Sequence, residues 1–148
     1  MNISKIEKHY PYLKIQGFEF PERIIRPQDY FENELEFMYF IMLNPWFCEK
    51  LGIYDVVRNV GVPDITAKII GCNEKISIEV EYNAYNFRKH KHVFYYTNLI
   101  ISFIRFSGTK SIDSVPIWSV YRYTTSKVNK RNYIYTLDDD INRDFDES

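Results

Sequence analysis

The chain has 148 residues and a formal net charge of −1, and this length fits a single domain. Its 45 % apolar and 18 % aromatic residues exclude a disordered chain, because they can build a hydrophobic core. Without an apolar run of roughly 18 residues, a membrane-spanning helix is excluded. Charged residues rather than an apolar segment follow Met1, so we expect no secretory signal and a cytoplasmic location.

The charges are distributed unevenly along the chain. Residues 132–148 contain six acidic side chains and one basic side chain, whereas residues 1–131 contain 18 basic and 14 acidic ones. We therefore predict one domain over residues 1–131, with an irregular N-terminal arm over 1–27 and a solvated acidic tail over 132–148. A mildly basic body is compatible with binding to nucleic acid.

Two helices are predicted first in chain order. Apolar side chains recur at helical spacing over residues 28–43. Asn44 ends this helix, because a residue that precedes proline is driven out of the helical region. A short second helix is predicted over residues 46–51, and Gly52 ends it.

Strand patterns follow the helices. The five predicted strands cover residues 54–60, 65–70, 75–82, 98–106 and 116–123. Residues 83–96 are polar and basic and are predicted as helix or ordered loop. Glycine turns between the first three strands favour an antiparallel meander, and a later strand reached by a crossover can pair with it in parallel. The predicted fold is therefore α/β, a mixed β-sheet with flanking helices.

The third strand carries two acidic side chains on one face. Apolar and polar residues alternate along it, so Glu79 and Glu81 point to the same side, roughly 6–7 Å apart. Asp64 opens the preceding strand, and the hairpin count places it near the level of Glu81. Three converging carboxylates favour a hard cation such as Mg²⁺ or Mn²⁺. Such a site can activate water and stabilise charge on a scissile phosphate.

The acidic residues also form a motif. Pro63-Asp64, an intervening segment, Glu79, one further residue and a third polar position together resemble the signature of the PD-(D/E)XK nuclease-like superfamily. The resemblance implies an α-β-β-β-α-β core, which agrees with the predicted order over residues 28–106. It also implies that Asp64 and Glu79 are metal ligands.

The third position of the motif departs from the common pattern. Glu81 stands where the family usually has lysine, and an E-x-E version occurs in some restriction enzymes, so Glu81 is included among the ligands. Lys50 is our candidate for the missing lysine, since it closes the helical segment that leads into the sheet; Lys68 and Lys75 are the alternatives. An acidic residue on the first helix often completes these sites, and the candidates are Glu34 and Glu36.

A basic segment follows the acidic strand directly. It contains cations and histidines interleaved with aromatic residues, and its candidate nucleic-acid-binding residues are Arg88, Lys89, His90, Lys91 and His92. Cations hold phosphates, and aromatic rings pack against sugars or bases. The segment also resembles a stretch found in uncharacterised relatives of this nuclease fold. The alternatives are a solvated basic helix face or loop, and a transition-metal site at the two histidines.

The sequence therefore predicts a Mg²⁺- or Mn²⁺-dependent deoxyribonuclease, with Asp64, Glu79, Glu81 and Lys50 as catalytic residues. DNA is the expected partner, RNA and a homodimer are also compatible, and no membrane is involved. The small size and the Ile, Asn, Lys and Tyr content resemble those of nucleases encoded by filamentous viruses of hyperthermophilic archaea, which implies a viral protein in the host cytoplasm. The alternatives are a non-catalytic nucleic-acid-binding protein on a nuclease-like fold, which the missing lysine favours, and a structural or partner-binding protein.

Overall fold

The computed structural model describes residues 20–61, 63–90, 96–125 and 132–138, with the backbone alone for Lys89 and His90. The strands are β1 (Arg23–Ile24), β2 (Ile53–Arg58), β3 (Ile65–Ile69), β4 (Lys75–Asn83), β5 (Leu99–Phe106), β6 (Ser111–Ile112), β7 (Val115–Thr125) and β8 (Tyr133–Leu137). The helices are α1 (Glu34–Leu43) and α2 (Pro45–Leu51), with 3₁₀ helices over Pro27–Asp29 and Ala84–His90. An α/β fold is confirmed.

The sheet is mixed, as the sequence predicts. Its strands lie in the order β1-β8-β7-β5-β4-β3-β2, and β6 pairs with β7 beside this path. β2, β3 and β4 form the predicted antiparallel meander, whereas β5 lies parallel to both β4 and β7. β5 is buried along its length except at Phe106, as is usual for a parallel strand with strands on both sides. β4 thus separates the antiparallel part of the sheet from the parallel part.

α1 begins later than predicted, at Glu34. The reason is a reciprocal cap, in which the Asn33 side chain accepts a hydrogen bond from the Glu36 amide (3.0 Å) and the Glu36 carboxylate accepts one from the Glu32 amide (3.1 Å). Pro27–Asp29 form a separate 3₁₀ turn upstream. Glu34 therefore stands in the first turn of α1, next to the sheet that the helix covers.

The main core lies between the helices and the sheet. Every residue of α1 from Phe37 to Leu43 is buried, together with Ile78 and Val80 of β4. Phe103 of β5 packs within this core, with its ring centroid 4.9 Å from that of Phe31. Ile78 and Val80 are the apolar half of the predicted alternation in β4, so the packing of α1 determines which residues of that strand enter the core.

A smaller cluster forms around the residues that follow β4. Its members are Ala84, Phe87, Ile100, Ile112 and Ile117. The first two belong to the 3₁₀ helix, which is the structure adopted by the start of the segment predicted as helix or loop. The 3₁₀ helix is therefore anchored to the sheet by apolar contacts, while residues 91–95 lie outside the described part of the chain.

The predictions for the N-terminal arm and the C-terminal tail need correction, because each of these segments contains a strand. β8 pairs with β7 along its length, and β1 pairs with β8 through Arg23 and Ile24. Residues 133–138 therefore belong to the folded body, whereas the prediction assigned them to a solvated tail. The tyrosines and branched residues of β8 have a strand composition that the following acidic run concealed. Residues 1–19 and 139–148 lie outside the described residues.

Asp138, at the end of β8, is buried and paired. Its Oδ2 accepts hydrogen bonds from Arg105 Nε (2.7 Å) and from Ser119 Oγ (2.9 Å). Both charged side chains are only 3 % exposed. Arg105 Nη1 also donates to the carbonyl oxygens of Ser107 (3.2 Å) and Thr109 (3.1 Å). This ion pair ties β8 to β5, two strands away in the sheet.

Within the described ranges, no helix is long and apolar enough to cross a membrane.

Candidate functional site

The β3–β4 hairpin brings Asp64 to the acidic strand. Ile65 pairs with Ile78, so Asp64 lies opposite Glu79 and not, as predicted, near the level of Glu81. The Asp64 Oδ2 atom accepts a hydrogen bond from the Val80 amide at 3.0 Å. This bond holds the Asp64 side chain against β4 just beyond the last ladder pair of β3.

The loop between β2 and β3 fixes the backbone of Asp64. The Asn59 amide donates to the Asp64 carbonyl oxygen (3.0 Å), and Asn59 Nδ2 donates to the Pro63 carbonyl oxygen (3.0 Å). Gly61 lies in this loop at a φ of 98°, a backbone conformation that side chains with a Cβ rarely adopt. Asp64 is therefore positioned by the hairpin loop behind it and by the Val80 amide in front of it.

Glu79 and Glu81 are buried in the centre of the sheet. Their side chains are 2 % and 0 % exposed, and by register they stand beside Ile100 and Ser102 of β5. Burial of an ionised carboxylate in such surroundings costs free energy unless another charge or a proton offsets it. Two buried glutamates on the same face of one strand therefore need another charge or a proton close to them.

Four carboxyl groups form one electrostatic cluster. Burial raises the pKa of Glu79 well above its usual range, and a hydrogen bond with the Asp64 carboxyl, the charge of Asp64 and the charge of Glu34 act in the same direction. A hydrogen bond from the Asp64 amide acts in the opposite direction. Burial likewise raises the pKa of Glu81, followed by the charge of Glu34, a hydrogen bond with it, and the charges of Asp64 and Glu79. Both glutamates therefore keep their protons to a higher pH than exposed glutamates do.

The chemistry of the cluster fits a hard divalent cation. Among the described residues, no three His, Cys, Asp or Glu side chains are arranged to hold a metal ion directly. The carboxyl groups lie instead in hydrogen-bonded pairs, Glu79 with Asp64 and Glu81 with Glu34. A divalent cation would neutralise the carboxylates as the shared protons do, and its binding would release those protons. A donor set made only of carboxylate oxygens suits Mg²⁺ or Mn²⁺.

The raised pKa values predict how stability depends on pH. In the unfolded chain Glu79 and Glu81 ionise near pH 4.3, whereas the metal-free fold keeps them protonated, so the folded state binds more protons above that pH. Their contribution is fully present below about pH 4 and falls, by up to about 1.4 kcal/mol per pH unit for each group, as the pH rises toward the folded pKa.

We therefore expect the melting temperature in EDTA to fall between about pH 5 and pH 9, and Mn²⁺ to raise it at the alkaline end. Thermal unfolding of the wild type and of Glu81→Gln, measured side by side, isolates one group because glutamine cannot ionise. The variant should show a flatter pH profile. Parallel profiles for the two proteins would contradict the proton-sharing cluster.

The structure distinguishes between the two acidic candidates on α1. Glu34 acts on both glutamates of β4, as their raised pKa values show. The Glu36 carboxylate instead accepts the hydrogen bond from the Glu32 amide in the helix cap. The cluster is therefore completed by Glu34.

The lysine candidates lie at the far end of the hairpin. The Ile70 amide donates to the Gly52 carbonyl oxygen (2.8 Å), which places the end of α2 beside the end of β3. β3 has five residues, so this end is about 16 Å from Asp64. The Lys50 ammonium lies 5.5 Å from the centre of the Trp46 ring, and the structure does not bring it to the carboxyl groups. The alternatives Lys68 and Lys75 pair with each other at the same far end.

Arg58 is the cation that the sequence reasoning missed. It is the last residue of β2 and lines a pocket of about 280 Å³ together with Asp64; the other lining residues are Met38, Asn59, Val60 and Gly61. The predicted replacements for the motif lysine were all lysines. Its only sequence signal is its position at the start of the loop that returns to Asp64.

The basic segment is described in part. Arg88 is exposed on the 3₁₀ helix, and its guanidinium lies 6.0 Å from the centre of the Tyr85 ring. Lys89 and His90 are described by their backbone alone, and Lys91 and His92 lie outside the described residues. The predicted roles of this segment in nucleic-acid binding, and of its histidines in metal binding, stay predictions.

The hairpin thus brings Asp64, Glu79 and Glu81 together, as predicted, and α1 and β2 add Glu34 and Arg58. Lys50 lies apart from them. The chain was compared with models of protein families, with curated proteins and with solved structures, and none of the three comparisons found a match.

Proposed function

We propose that this protein is a metal-dependent nuclease that hydrolyses phosphodiester bonds of DNA on a PD-(D/E)XK-like core. The observation that carries the proposal is the burial of Glu79 and Glu81 in contact with the carboxyl groups of Asp64 and Glu34. Four acidic side chains at a place where apolar ones would pack do not stabilise the sheet unless a charged ligand binds to them. Buried carboxyl groups with strongly shifted pKa values are typical of functional sites.

The order of elements around the cluster supports the proposal. α1 and α2 precede β2, β3 and β4, and the 3₁₀ helix over Ala84–His90 leads toward β5, which is parallel to β4. This sequence of elements resembles the α-β-β-β-α-β order of the family, with the short 3₁₀ helix in the place of the second α-helix. The motif residues Asp64 and Glu79 lie at the β3–β4 hairpin, where the resemblance expects them.

Each acidic residue has a role that its surroundings favour. A bound divalent cation would supply an activated water and would offset charge on the scissile phosphate. Asp64 and Glu79 would hold it, and the Val80 amide orients the Asp64 carboxylate for this task. Burial and the neighbouring carboxyl groups raise the pKa of Glu81, so this group is suited to deliver a proton to the leaving oxygen.

Metal-dependent cleavage by the wild type tests the function. Fluorescently labelled DNA should be cut with Mg²⁺ or Mn²⁺ and should stay intact in EDTA, and Asp64→Asn should lower the rate by about 100-fold or more, since it removes a charged ligand. Asp113→Asn is the matched control, because Asp113 is an exposed turn residue at a φ of 50°, a conformation that asparagine tolerates. Equal cutting in EDTA, or undiminished cutting by Asp64→Asn, would exclude the proposed reaction.

A second candidate is a DNA-binding protein without catalytic activity. The specific observation that favours it is the position of Lys50, Lys68 and Lys75 at the end of the hairpin remote from the carboxyl groups. This candidate predicts salt-sensitive DNA binding that EDTA does not change and that Arg88→Gln weakens. Cleavage that depends on added metal would decide in favour of the nuclease.

A further inference from the structure

The pocket beside Asp64 has a basic wall formed by Arg58. The loop that follows Arg58 forms the rim of the pocket, and Val60 on this rim is 98 % exposed. The pocket is therefore open at this rim. Arg58 and Asp64 both line this pocket, so a ligand that fills it contacts both residues.

Arg58 is held in place by α1. Its guanidinium lies 5.3 Å from the centre of the Tyr39 ring, and Arg58 Nη1 donates to the Tyr39 hydroxyl oxygen at 3.4 Å. Tyr39 is buried, so its ring offers a fixed platform. A guanidinium restrained in this way loses little conformational freedom when it binds a ligand.

The guanidinium retains donors for a ligand. An arginine side chain has five N–H donors, and in the part of the chain that the structure describes the contact with Tyr39 is the only hydrogen bond of this one. A planar fork of donors matches the oxygens of a phosphate group, which it binds in a bidentate manner. Beside a cluster of carboxylates, a cation that binds the substrate also offsets the repulsion between those carboxylates and the incoming phosphate.

We propose that Arg58 binds a phosphodiester group of DNA in this pocket and positions the backbone next to Asp64. This inference rests on the proposed function for its substrate, but the binding it describes does not depend on cleavage. Arg58 is thus a positioning residue at the phosphate, and the acidic cluster acts on the bond beside it.

The test measures DNA binding in EDTA, where no cleavage is expected, by fluorescence anisotropy with a short labelled duplex at low salt. Arg58→Gln should weaken binding about tenfold and should reduce the slope of log Kd against log salt by about one, the values for one phosphate contact. Arg58→Lys, which keeps the charge but not the fork, should bind with intermediate affinity. Lys75→Gln also removes one positive charge, at the end of the β3–β4 hairpin that is remote from Asp64, and should bind nearly as the wild type does.

The outcomes separate this inference from the proposed function. Equal binding by Arg58→Gln and the wild type, or equal losses in Arg58→Gln and Lys75→Gln, would overturn the role of Arg58 even if the wild type cuts DNA with Mg²⁺. A selective loss in Arg58→Gln with no cutting by the wild type would support Arg58 and reject the nuclease. Circular dichroism of each variant shows whether it is folded, and Arg58→Lys keeps the test decisive if Arg58→Gln does not fold.

Discussion

Replacing Glu79 with glutamine is expected to abolish Mg²⁺-dependent DNA cleavage while making the metal-free protein more stable. The activity should fall at least about 10³-fold, because an amide removes a charged ligand from the middle of the cluster and the missing charge stabilisation is worth several kcal/mol. Glutamine closely matches the protonated form of Glu79, so packing is preserved. Glutamate at this position ionises when the chain unfolds, which favours the unfolded state at neutral pH. Glutamine cannot ionise, so the free energy of unfolding of the variant in EDTA at neutral pH should be about 1–3 kcal/mol higher.

The two halves of this prediction need one control and two measurements. Glu74→Gln removes a carboxylate from the exposed turn of the same hairpin and should change neither activity nor the free energy of unfolding by much. Cleavage rates with saturating Mg²⁺ and urea unfolding in EDTA would be compared across the three proteins. A Glu79→Gln variant that cuts DNA normally would reject the site, and one that is less stable than the wild type would reject the shared proton.

Breaking the ion pair between Arg105 and Asp138 is expected to have the largest effect on stability. Both side chains are nearly inaccessible, and Asp138 also accepts the hydrogen bond from Ser119, so removal of either charge leaves the other buried without compensation. Single replacements Arg105→Met and Asp138→Asn should each lower the free energy of unfolding by about 3–5 kcal/mol. The double replacement should cost less than the sum of the two single ones.

Denaturant unfolding of the three variants tests this directly. Arg122→Met is the matched control, because Arg122 is the exposed register partner of Arg105 on β7 and should contribute within about 0.5 kcal/mol. Losses of similar size in Arg105→Met and Arg122→Met would show that the pair does not stabilise the fold. A loss confined to the buried pair would also confirm that β8 is part of the cooperative unit.

The acidic site was predictable because it depends on local periodicity. Alternation along β4 places Glu79 and Glu81 on one side whatever the rest of the fold does, and a short hairpin must return Asp64 to the same end. The register was wrong by two residues because the turn begins at Ile70 and not at Gly71. When the turn of an antiparallel hairpin moves by one residue, the register of the two strands shifts by two residues.

The other parts of the site and of the fold depend on partners far away in sequence. Asp138 is buried because Arg105, 33 residues earlier, meets it across the sheet, and no local pattern distinguishes it from the acidic residues that follow. Arg58 becomes a fixed cation only through Tyr39, 19 residues earlier on α1. The helix cap distinguishes Glu34 from Glu36. The residues of the cap are present in the sequence, but the predicted helix began at residue 28 and so placed the cap inside the helix.

The parallel pairing of β4 with β5 divides the carboxyl cluster into a rigid half and an adjustable half. Glu79 and Glu81 lie beyond the last β3–β4 pair at Ile78, but both are paired with β5, so their backbone cannot follow a ligand without breaking this ladder. Glu34 is the first residue of α1, where a small rotation costs little. In the proposed metal site, ions of different radius would therefore be accommodated by the first turn of α1, and selectivity between them would be encoded in that turn and not in the strand that carries the motif.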